Sequence, residues 1–509
     1  MNNLYESVKR SGIVCMLYAV IIFSLISGIL GSCVEKSYAE ERQLSSFAPA
    51  DVDQFMQQTM KKLHIPGASI AIVHGKEIIY TQGYGKADRS GQPVTPATPF
   101  VIGSMSKAVT AAAIMQLVDQ KKIKLSDPVQ QYLPGFQLAN KQAAQQITIA
   151  DLLHQTSGLS QVDGIKAITE GSGSIQQHIR SLQNVQTRSI PGHSFEYSNL
   201  NYNILGGIIE TVSGQNYADY ISSHIFQPLD MAHSYVSRKQ AQLAGEDYQG
   251  YQPILGWMLP TTQLDHSGTV PSGYLMSSAE DMAHFLVAQM NKGQFGSRQL
   301  LSAASLTAMH TLASDMGDGS HYAMGWVVEG RTLAHNGSTE NSYSKMMIDG
   351  DYGIVVLTNS LDYLDSGSYE GILTGIQQII HHQSPEPVGR STTTSAIYMM
   401  INVISVLFVL LVIWRLIRLF QKGLRPSASK AYSILRVIVI ILLQIALPVL
   451  LIGYAGMALV SWPVILLFLP GMGHAFLIGL VLWILLGLFK LIGLVRHKGH
   501  SRRMRRSYP

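Results

Sequence analysis

Hydrophobic residues are concentrated at the two ends of the chain, whereas the middle mixes apolar and polar positions. Near the start, a basic pair at 9–10 precedes an uncharged apolar run over 11–34. Three further apolar runs lie near the other end, at 396–419, 434–459 and 473–495. Each of these three is close to the roughly 20 residues that a helix needs to cross a bilayer. The pattern predicts a middle domain that is tied to three membrane-spanning helices.

The first apolar run has the order of features that a secretory signal has. Its basic head and apolar centre are followed by a small-residue pattern at 37–39, and cleavage after Ala39 would remove residues 1–39. Two alternatives stay open. The run is long enough to remain as an uncleaved membrane helix, and the segment 30–33 is a loose lipoprotein cleavage box in which Cys33 would be lipidated.

Basic residues are distributed unevenly around the C-terminal spans. They crowd the connection between the first two spans and the tail after the third, whereas 453–473 carries no charge. These residues are Arg415, Arg418, Lys422, Arg425, Lys430, Arg436, Arg496, Lys498, Arg502, Arg503, Arg505 and Arg506. The positive-inside rule places both basic segments in the cytoplasm and the middle domain outside. Because they more than account for the formal charge of +5, that charge gives no reason to predict a nucleic-acid partner.

The middle of the chain, 40–382, predicts one α/β (α+β) domain. Helical periodicity over 51–63 is followed by a hairpin with strands at 68–73 and 78–82. The later predicted elements are strands at 322–328, 343–348 and 354–357 and a final helix over 369–381. Early and late strands around a helical middle predict one antiparallel sheet, built from both ends of the domain and flanked by helices.

Two connecting segments complete the layout. Residues 383–395, with two prolines and several serines and threonines, predict a linker to the membrane region 396–509. Between the second and third spans, the apolar stretch 462–470 has prolines near both ends. This stretch is either a re-entrant or an interfacial segment, and the pattern alone does not decide which.

Candidate chemistry begins at Ser104-Met105-Ser106-Lys107, which opens a helix-compatible run over 108–120. Residues three apart on a helix share a face, so the Lys107 amine can lie against the Ser104 hydroxyl. The helix N-terminus adds a field that favours negative charge. Because a weak alcohol nucleophile needs a nearby group to take its proton, we predict Ser104 as nucleophile and Lys107 as its partner.

The same Ser-x-x-Lys spacing occurs twice more, at 342–345 and 427–430. The first of these lies on a predicted strand, where positions three apart point to opposite faces. The second falls in the predicted cytoplasmic connection. Only Ser104 combines a helix start with a predicted external location.

A tyrosine downstream is a candidate partner for this serine. Tyr197-Ser198-Asn199 lies at a loop-to-helix junction, ahead of a predicted helix over 200–212. A phenol at such a junction can face a cleft, and a nearby lysine is expected to lower its pKa towards that of a useful base.

A third polar segment, His335-Asn336-Gly337-Ser338, is predicted to be a turn beside the late strands. Gly337 would let a substrate backbone approach closely. The N–H groups of Ser338 and Ser104 can together form an oxyanion hole, in which both donate to the negative oxygen of a tetrahedral intermediate.

Together these three segments resemble the superfamily of serine β-lactamases, penicillin-binding proteins and D-aminopeptidases, nearest to its class C-like branch. The order Ser-x-x-Lys, Tyr-x-Asn and His-x-Gly, the last in place of Lys-Thr-Gly, is typical of that branch. The segments 151–159, 202–206 and 273–277 are typical of it as well. The resemblance covers 51–382 and implies a β-lactamase/transpeptidase-like fold, with a helical subdomain beside the sheet.

The resemblance also implies roles for individual residues. It assigns catalysis to Ser104, Lys107 and Tyr197, and substrate contact to Asn199, His335 and Gly337. Ser104 would be acylated, while Lys107 and Tyr197 share general-base and general-acid duty and Asn199 bonds the substrate or Lys107. Because a neutral His335 holds no permanent charge where a lysine commonly stands, an efficient β-lactamase is not the first expectation.

The layout of one such domain followed by three spans is similar to that of membrane peptidases that remove an N-acyl-D-asparagine leader, as in colibactin maturation. The segment 103–108 matches those enzymes closely. Two features depart from them: 197–199 has the form Tyr-x-Asn in place of Tyr-x-Ser, and Val101 stands where an acidic substrate-binding residue is expected. The architecture is therefore expected to carry over better than the substrate.

The leading hypothesis is a membrane-anchored external serine hydrolase that acts through an acyl-enzyme on a peptide, amide or ester, with a D-amino acid in the substrate. The alternatives are a β-lactamase, a non-hydrolytic penicillin-binding receptor or sensor, and a vestigial domain that assists a transporter. No cofactor or metal is expected, because the histidines are scattered and both cysteines, Cys15 and Cys33, precede the middle domain. The oligomeric state stays open.

Overall fold

The computed structural model describes residues 48–169, 173–422, 430–455 and 461–506. The predicted signal segment, with its cleavage after Ala39 and its alternative at Cys33, lies outside the described residues. Residues 423–429 of the basic connection between the first two membrane spans lie outside them as well.

Within the described residues, the strands form one large sheet and three small pairs. In chain order they are β1 (Gly67–His74), β2 (Glu77–Gly85), β3 (Phe100–Val101), β4 (Gly250–Ile254), β5 (Trp257–Thr261), β6 (Met276–Ser277), β7 (Gln294–Phe295), β8 (Arg298–Gln299), β9 (Ser314–Asp315), β10 (His321–Tyr322), β11 (Val327–Glu329), β12 (Thr332–Ser338), β13 (Tyr343–Asp349) and β14 (Tyr352–Thr358). The small pairs are β3 with β6, β4 with β5, and β7 with β8.

The large sheet joins the two ends of the domain, as predicted. Its strand order is β2-β1-β14-β13-β12-β11-β10-β9, and neighbouring strands are antiparallel. The early hairpin meets the late strands where β1 pairs with β14, with Ala68 opposite Thr358. The predicted α/β class with one antiparallel sheet is confirmed.

Helices of the globular part come before, between and after these strands. They are α1 (Pro49–Leu63), α2 (Ser106–Asp119), α3 (Val129–Tyr132), α4 (Lys141–Gln146), α5 (Ile149–Leu153), α6 (Gln161–Thr169), α7 (Ile175–Ser181), α8 (Asn199–Ser213), α9 (Tyr217–Ile221), α10 (Arg238–Leu243), α11 (Val270–Gly273), α12 (Ala279–Met290), α13 (Ala303–His310) and α14 (Ser366–Ile380). The predicted helices over 51–63, 108–120, 200–212 and 369–381 correspond to α1, α2, α8 and α14.

Helices cover both faces of the sheet. Successive side chains of a strand point to opposite faces, so neighbouring residues pack against different helices. On β1, Ile70 and Ile72 belong to the apolar cluster formed with α1 and α14. Ala71 and Val73 belong to the larger cluster formed with α12 and the helical middle. A central strand buried on both faces therefore carries apolar residues at consecutive positions.

One late strand differs from the expectation. The predicted strand over 322–328 is divided into β10 and β11. At the break, Gly325 has a φ of +78° and passes close to α2, where a Cβ would lie 2.6 Å from the Ala108 Cα. The chain therefore turns at this glycine because α2 occupies the space that a straight strand would need.

The membrane region contains α15 (Thr392–Lys422), α16 (Lys430–Ile440), α17 (Leu447–Tyr454), α18 (Trp462–Phe468) and α19 (Met472–Arg506). A π-helical segment over Ile441–Ala446 joins α16 to α17. By length and composition, Thr392–Arg418, Ile434–Tyr454 and Met472–Leu494 can each cross a bilayer, which confirms the three predicted spans. The first span begins inside the predicted linker 383–395, where the buried Thr394 bonds the Leu364 carbonyl.

The contact between α14 and α1 predicts a stability change. Gly375 on α14 lies against the Phe55 ring on α1, which a Cβ at position 375 would overlap. We expect Gly375→Ala to lower the free energy of unfolding of the globular domain by about 1–3 kcal/mol, the usual cost of overpacking a core. Thermal denaturation in detergent would report this change as a lower Tm.

The control variant is Gly367→Ala, at an exposed position of the same helix with nothing within 4 Å of the added methyl. Its Tm should stay unchanged or rise, because alanine favours helix more than glycine does. Equal Tm values for the two variants would contradict this packing of α1 on α14.

Candidate active site

Ser104 lies where the chain passes from a short strand into a buried helix. Between β3 and α2, a 3-10 turn covers Gly103–Met105. Gly103 has a φ of +51°, which glycine adopts without the strain that a side chain would add. Ser104 is partly exposed in this turn, while the helix that follows is buried. The serine hydroxyl is thus accessible at the N-terminal end of a helix.

Lys107 is completely buried one turn further along. Its Nζ lies 3.0 Å from Ser104 Oγ, 2.8 Å from Asn199 Oδ1 and 2.6 Å from the Ser272 carbonyl oxygen. Burial lowers the pKa of this amine well below its ordinary value, because the charged form loses its hydration.

The three neighbours of Lys107 Nζ match the hydrogen-bonding capacity of a neutral amine. The amide oxygen of Asn199 and the carbonyl of Ser272 can only accept hydrogen bonds, so they use two N–H donors. The remaining lone pair can then accept the hydrogen of the Ser104 hydroxyl. In this protonation state Lys107 is placed to take the serine proton.

Tyr197 is the second candidate proton carrier, and its phenol is close enough to the Ser104 side chain for that side chain to influence its pKa. Lys107 Nζ lies 4.8 Å from the centre of its ring. Burial raises the pKa of Tyr197 well above its ordinary value, and the neighbouring Tyr322 adds to this rise. The sequence-based expectation of a lowered pKa is therefore wrong in direction, because burial opposes the phenolate and a neutral amine offers it no charge.

Strand β12 brings the backbone of Ser338 next to the serine turn. A Cβ on Gly103 would lie 2.7 Å from the Ser338 nitrogen and 2.6 Å from the Gly337 carbonyl carbon. Gly337 in turn packs against the Ile102 carbonyl, which a side chain at position 337 would overlap. The close approach of two backbones places the Ser338 nitrogen beside Gly103, the residue before Ser104, and the oxyanion hole itself stays a prediction.

His335 lies on β12, not in the turn that the sequence indicates, and its side chain is buried. Its Nδ1 lies 2.6 Å from the Asn336 carbonyl oxygen, and its Nε2 lies 3.3 Å from the Tyr322 hydroxyl. Burial lowers the pKa of His335 to about 3, because the imidazolium form would lose its hydration. The imidazole is therefore neutral, and both of its nitrogens have protein partners; its predicted contact with substrate stays a prediction.

The carbonyl of Ser272 is a part of the site that the sequence motifs do not reveal. It comes from α11, whose neighbouring Pro271 carbonyl accepts a hydrogen bond from the Thr110 hydroxyl at 2.7 Å. This short helix ends at Gly273, the first residue of the 273–277 segment, which is typical of the family but carries no assigned role by sequence. Since any residue type supplies a carbonyl, only the fold identifies this acceptor.

Helix α6 packs against the segment that carries Asn199 and so forms one wall of the site. A Cβ on Gly164 of α6 would lie 2.7 Å from the Asn199 nitrogen and 3.0 Å from Ser198 Oγ. The Ser198 hydroxyl also donates to the Ser160 carbonyl at 2.9 Å. These contacts hold Asn199 at the start of α8, where its amide meets Lys107.

The second Ser-x-x-Lys segment has no comparable geometry. The Ser342 hydroxyl donates to the Val101 carbonyl at 3.1 Å, whereas the Lys345 amine pairs with Glu370 at 2.5 Å. Their side chains thus have separate partners, as expected for a strand. The third copy, at 427–430, lies mostly outside the described residues.

The beta-lactamase family model matches residues 52–375 of this chain. Protein flp of Staphylococcus aureus (strain MW2) is 28% identical over 457 residues, which cover 84% of this chain and 87% of that protein. The octameric penicillin-binding protein homologue from Pyrococcus abyssi has a TM-score of 0.58 at 26% identity, covering 67% of this chain and 78% of that one. A D-stereospecific amidohydrolase from Streptomyces sp. has a TM-score of 0.51 at 21% identity, covering 61% and 94%. The predicted resemblance is confirmed.

The tight approach of Gly103 to β12 predicts a loss of reactivity in a variant that keeps its fold. A methyl in Gly103→Ala would push the Ser338 N–H away from the serine turn. Loss of one oxyanion-hole donor lowers rates by about 100-fold or more, and we expect a similar drop in the rate of labelling by a fluorophosphonate. Gly135→Ala, with nothing within 4 Å of its new methyl, should label at the wild-type rate. Unchanged labelling of Gly103→Ala would contradict the proposed oxyanion hole.

Proposed function

Since this chain belongs to the beta-lactamase family, we propose that it is a membrane-anchored serine hydrolase that works through an acyl-enzyme at Ser104. Its substrate is an amide, peptide or ester that contains a D-amino acid, and its site lies outside the cytoplasmic membrane. The observation that carries this proposal is the 3.0 Å contact between Ser104 Oγ and the fully buried Lys107 Nζ.

Acylation follows from the protonation states of the site. Ser104 Oγ attacks the substrate carbonyl carbon, and its proton passes to the neutral Lys107 amine. The carbonyl oxygen becomes negative and accepts hydrogen bonds from the N–H groups of Ser104 and Ser338. The new ammonium is stabilised by Asn199 Oδ1 and the Ser272 carbonyl, which already lie within 2.8 Å of Nζ.

Departure of the leaving group needs a proton on its oxygen or nitrogen. The Tyr197 phenol is protonated, because burial raises its pKa, and it lies beside the Ser104 side chain. It donates its proton to the leaving group and regains one from the Lys107 ammonium 4.8 Å from its ring centre. Water then attacks the carbonyl carbon of the acyl-enzyme. Lys107 and Tyr197 take up the proton of this water and return a proton to Ser104 Oγ, which releases the acid and restores the Ser104 hydroxyl.

The neutral state of His335 favours hydrolysis of amides or esters over efficient β-lactam turnover. A β-lactam carries a carboxylate, and a cationic side chain at this position would bind it. His335 offers no such charge, since its pKa is lowered to about 3 and its ring is buried. Substrates whose recognition does not depend on a carboxylate at this point fit the site better.

One fold relative supports a D-amino-acid substrate by analogy, and a second shares the fold. One neighbour is named a D-stereospecific amidohydrolase, and another is a penicillin-binding protein homologue. The family fold presents its serine to many acyl donors, and a D-amino-acid amide is the one that the name of the amidohydrolase specifies.

The external location rests on the charge distribution around the spans. Basic residues follow the first and third spans, and the segment between the second and third carries none. By the positive-inside rule the ends of α15 and α19 face the cytoplasm, so the globular domain, which precedes α15, lies outside.

The direct test is covalent labelling of the full-length protein in detergent or nanodiscs. A fluorophosphonate should add one label to the wild type and none to Ser104→Ala, because the partly exposed Ser104 hydroxyl lies 3.0 Å from the buried Lys107 amine. Ser194→Ala, at an exposed position near Tyr197, is the control and should label normally. A label on Ser104→Ala would refute the assignment of the nucleophile.

The same samples distinguish a hydrolase from a non-hydrolytic receptor. Intact mass is followed after addition of D-amino-acid esters, acyl-D-asparagine amides, D-alanyl-D-alanine peptides or a chromogenic cephalosporin. A hydrolase returns to its unmodified mass while product accumulates. Stable acylation by every compound without product would instead identify a receptor.

A further inference from the structure

The β4–β5 hairpin connects the globular domain to the first membrane helix through its turn. Leu255 and Gly256 form the turn with φ values of +54° and +92°, as a two-residue hairpin turn with two positive φ angles requires. Asn402 Nδ2 on α15 donates to the Leu255 carbonyl at 3.0 Å, and Arg390 Nη1 donates to the Gly256 carbonyl at 3.2 Å. A leucine in this conformation is strained, and these contacts hold it in place.

The same hairpin is fixed on its other side by the segment between the second and third spans. Gln252 Nε2 on β4 donates to the Leu467 carbonyl of α18 at 2.7 Å. Gly471 packs on the turn, where a Cβ would lie 2.8 Å from the Leu255 nitrogen. The hairpin therefore lies between the start of α15 and the end of α18 and is bonded to both.

The length of the first span places this turn at the membrane surface. Arg418 and Lys422 mark the charged end of α15. Counting back about 20 residues, or about 30 Å at 1.5 Å per residue, puts the other edge of the hydrocarbon layer between Tyr398 and Asn402. Asn402 bonds the turn, and the Tyr398 ring lies against Gly256. The hairpin turn therefore lies at the bilayer surface on the side of the globular domain.

The strand that leaves this turn exposes apolar side chains. Trp257 is 73% exposed and Leu259 is 42% exposed, and both lie on one face of β5 because they are two residues apart. Leu264, a few residues later, is 47% exposed. Tryptophan is enriched at the membrane–water interface, where an apolar ring with one polar N–H fits.

The active-site cleft is connected to this surface through α18. Helix α18 packs against α6, the helix whose Gly164 contacts Asn199. Tyr363 of the globular domain also meets Phe468 of α18 in an edge-to-face contact at 4.9 Å. Helix α6, which positions Asn199, is therefore supported by α18, a helix that lies between the second and third membrane spans in the chain.

From these contacts we propose that the β4–β5 hairpin and α18 seat the globular domain on the lipid bilayer, with Trp257, Leu259 and Leu264 in the interface. The site then acts on amphiphiles that are anchored in the same bilayer and carry their amide or ester at headgroup level. The seating does not depend on catalysis, whereas this substrate class rests on the proposed function.

Seating is tested by site-specific fluorescence of the full-length protein in nanodiscs. In a background with Cys15→Ser and Cys33→Ser, an environment-sensitive dye is attached to Trp257→Cys or, separately, to Leu264→Cys. Both dyes should be quenched by lipids labelled near the headgroup and protected from aqueous iodide. The control is Leu312→Cys, at a 54% exposed position after α13, which packs on α2. Its dye should show the reverse pattern, and iodide quenching at all three sites alike would overturn the seating.

The substrate class is tested with two compounds that share one acyl group, one soluble and one attached to a lipid anchor in the nanodisc. The double variant Trp257→Ser/Leu259→Ser stays anchored by its three spans but no longer holds the site at headgroup level. It should therefore lose about tenfold or more of the activity on the anchored compound, because seating supplies the effective concentration at the site. Activity on the soluble compound should match that of the wild type and of Leu312→Ser. Equal losses on both compounds, or none, would refute the substrate class. No turnover of either compound by the wild type would refute the proposed function and this substrate class together, while the fluorescence still decides the seating.

Discussion

A single amine kept away from water is the constraint on which the rest of the site depends. Lys107 can accept a proton from Ser104 only if burial keeps it neutral, and burial is tolerated only if its N–H donors find acceptors. The acceptors come from residues 92 and 165 positions along the chain, Asn199 and Ser272. The fold therefore has to bring three distant segments around one nitrogen atom.

How much of this could be predicted from sequence differs from residue to residue. Ser104 and Lys107 are one helical turn apart, so local spacing suffices to pair them. Tyr197 needs the family pattern, because nothing in its own segment points to a serine far upstream. The sequence predicts the wrong direction for the pKa of Tyr197, since burial is a property of the folded chain. The Ser272 carbonyl has no residue-type signature at all.

The membrane helices contribute more than attachment. The apolar stretch 462–470, which is ambiguous by sequence between a re-entrant and an interfacial segment, contains α18, and that helix contacts the globular domain at Gln252 and Tyr363. Sequence periodicity describes each helix alone and gives no information on such a contact. Because α18 also packs against α6, which positions Asn199, the same helix takes part in membrane anchoring and in the geometry of the active site.

The most direct measurement of the central claim is a pH titration of the Lys107 side chain by carbon-13 NMR of labelled lysine in the full-length protein. Lys107→Arg identifies the resonance by its disappearance. Burial predicts that the amine loses its proton well below the ordinary pKa of 10.5, so that it is neutral when the serine must be activated. A resonance that stays in the ammonium form up to about pH 10 would contradict the account, because Ser104 would then have no proton acceptor beside it.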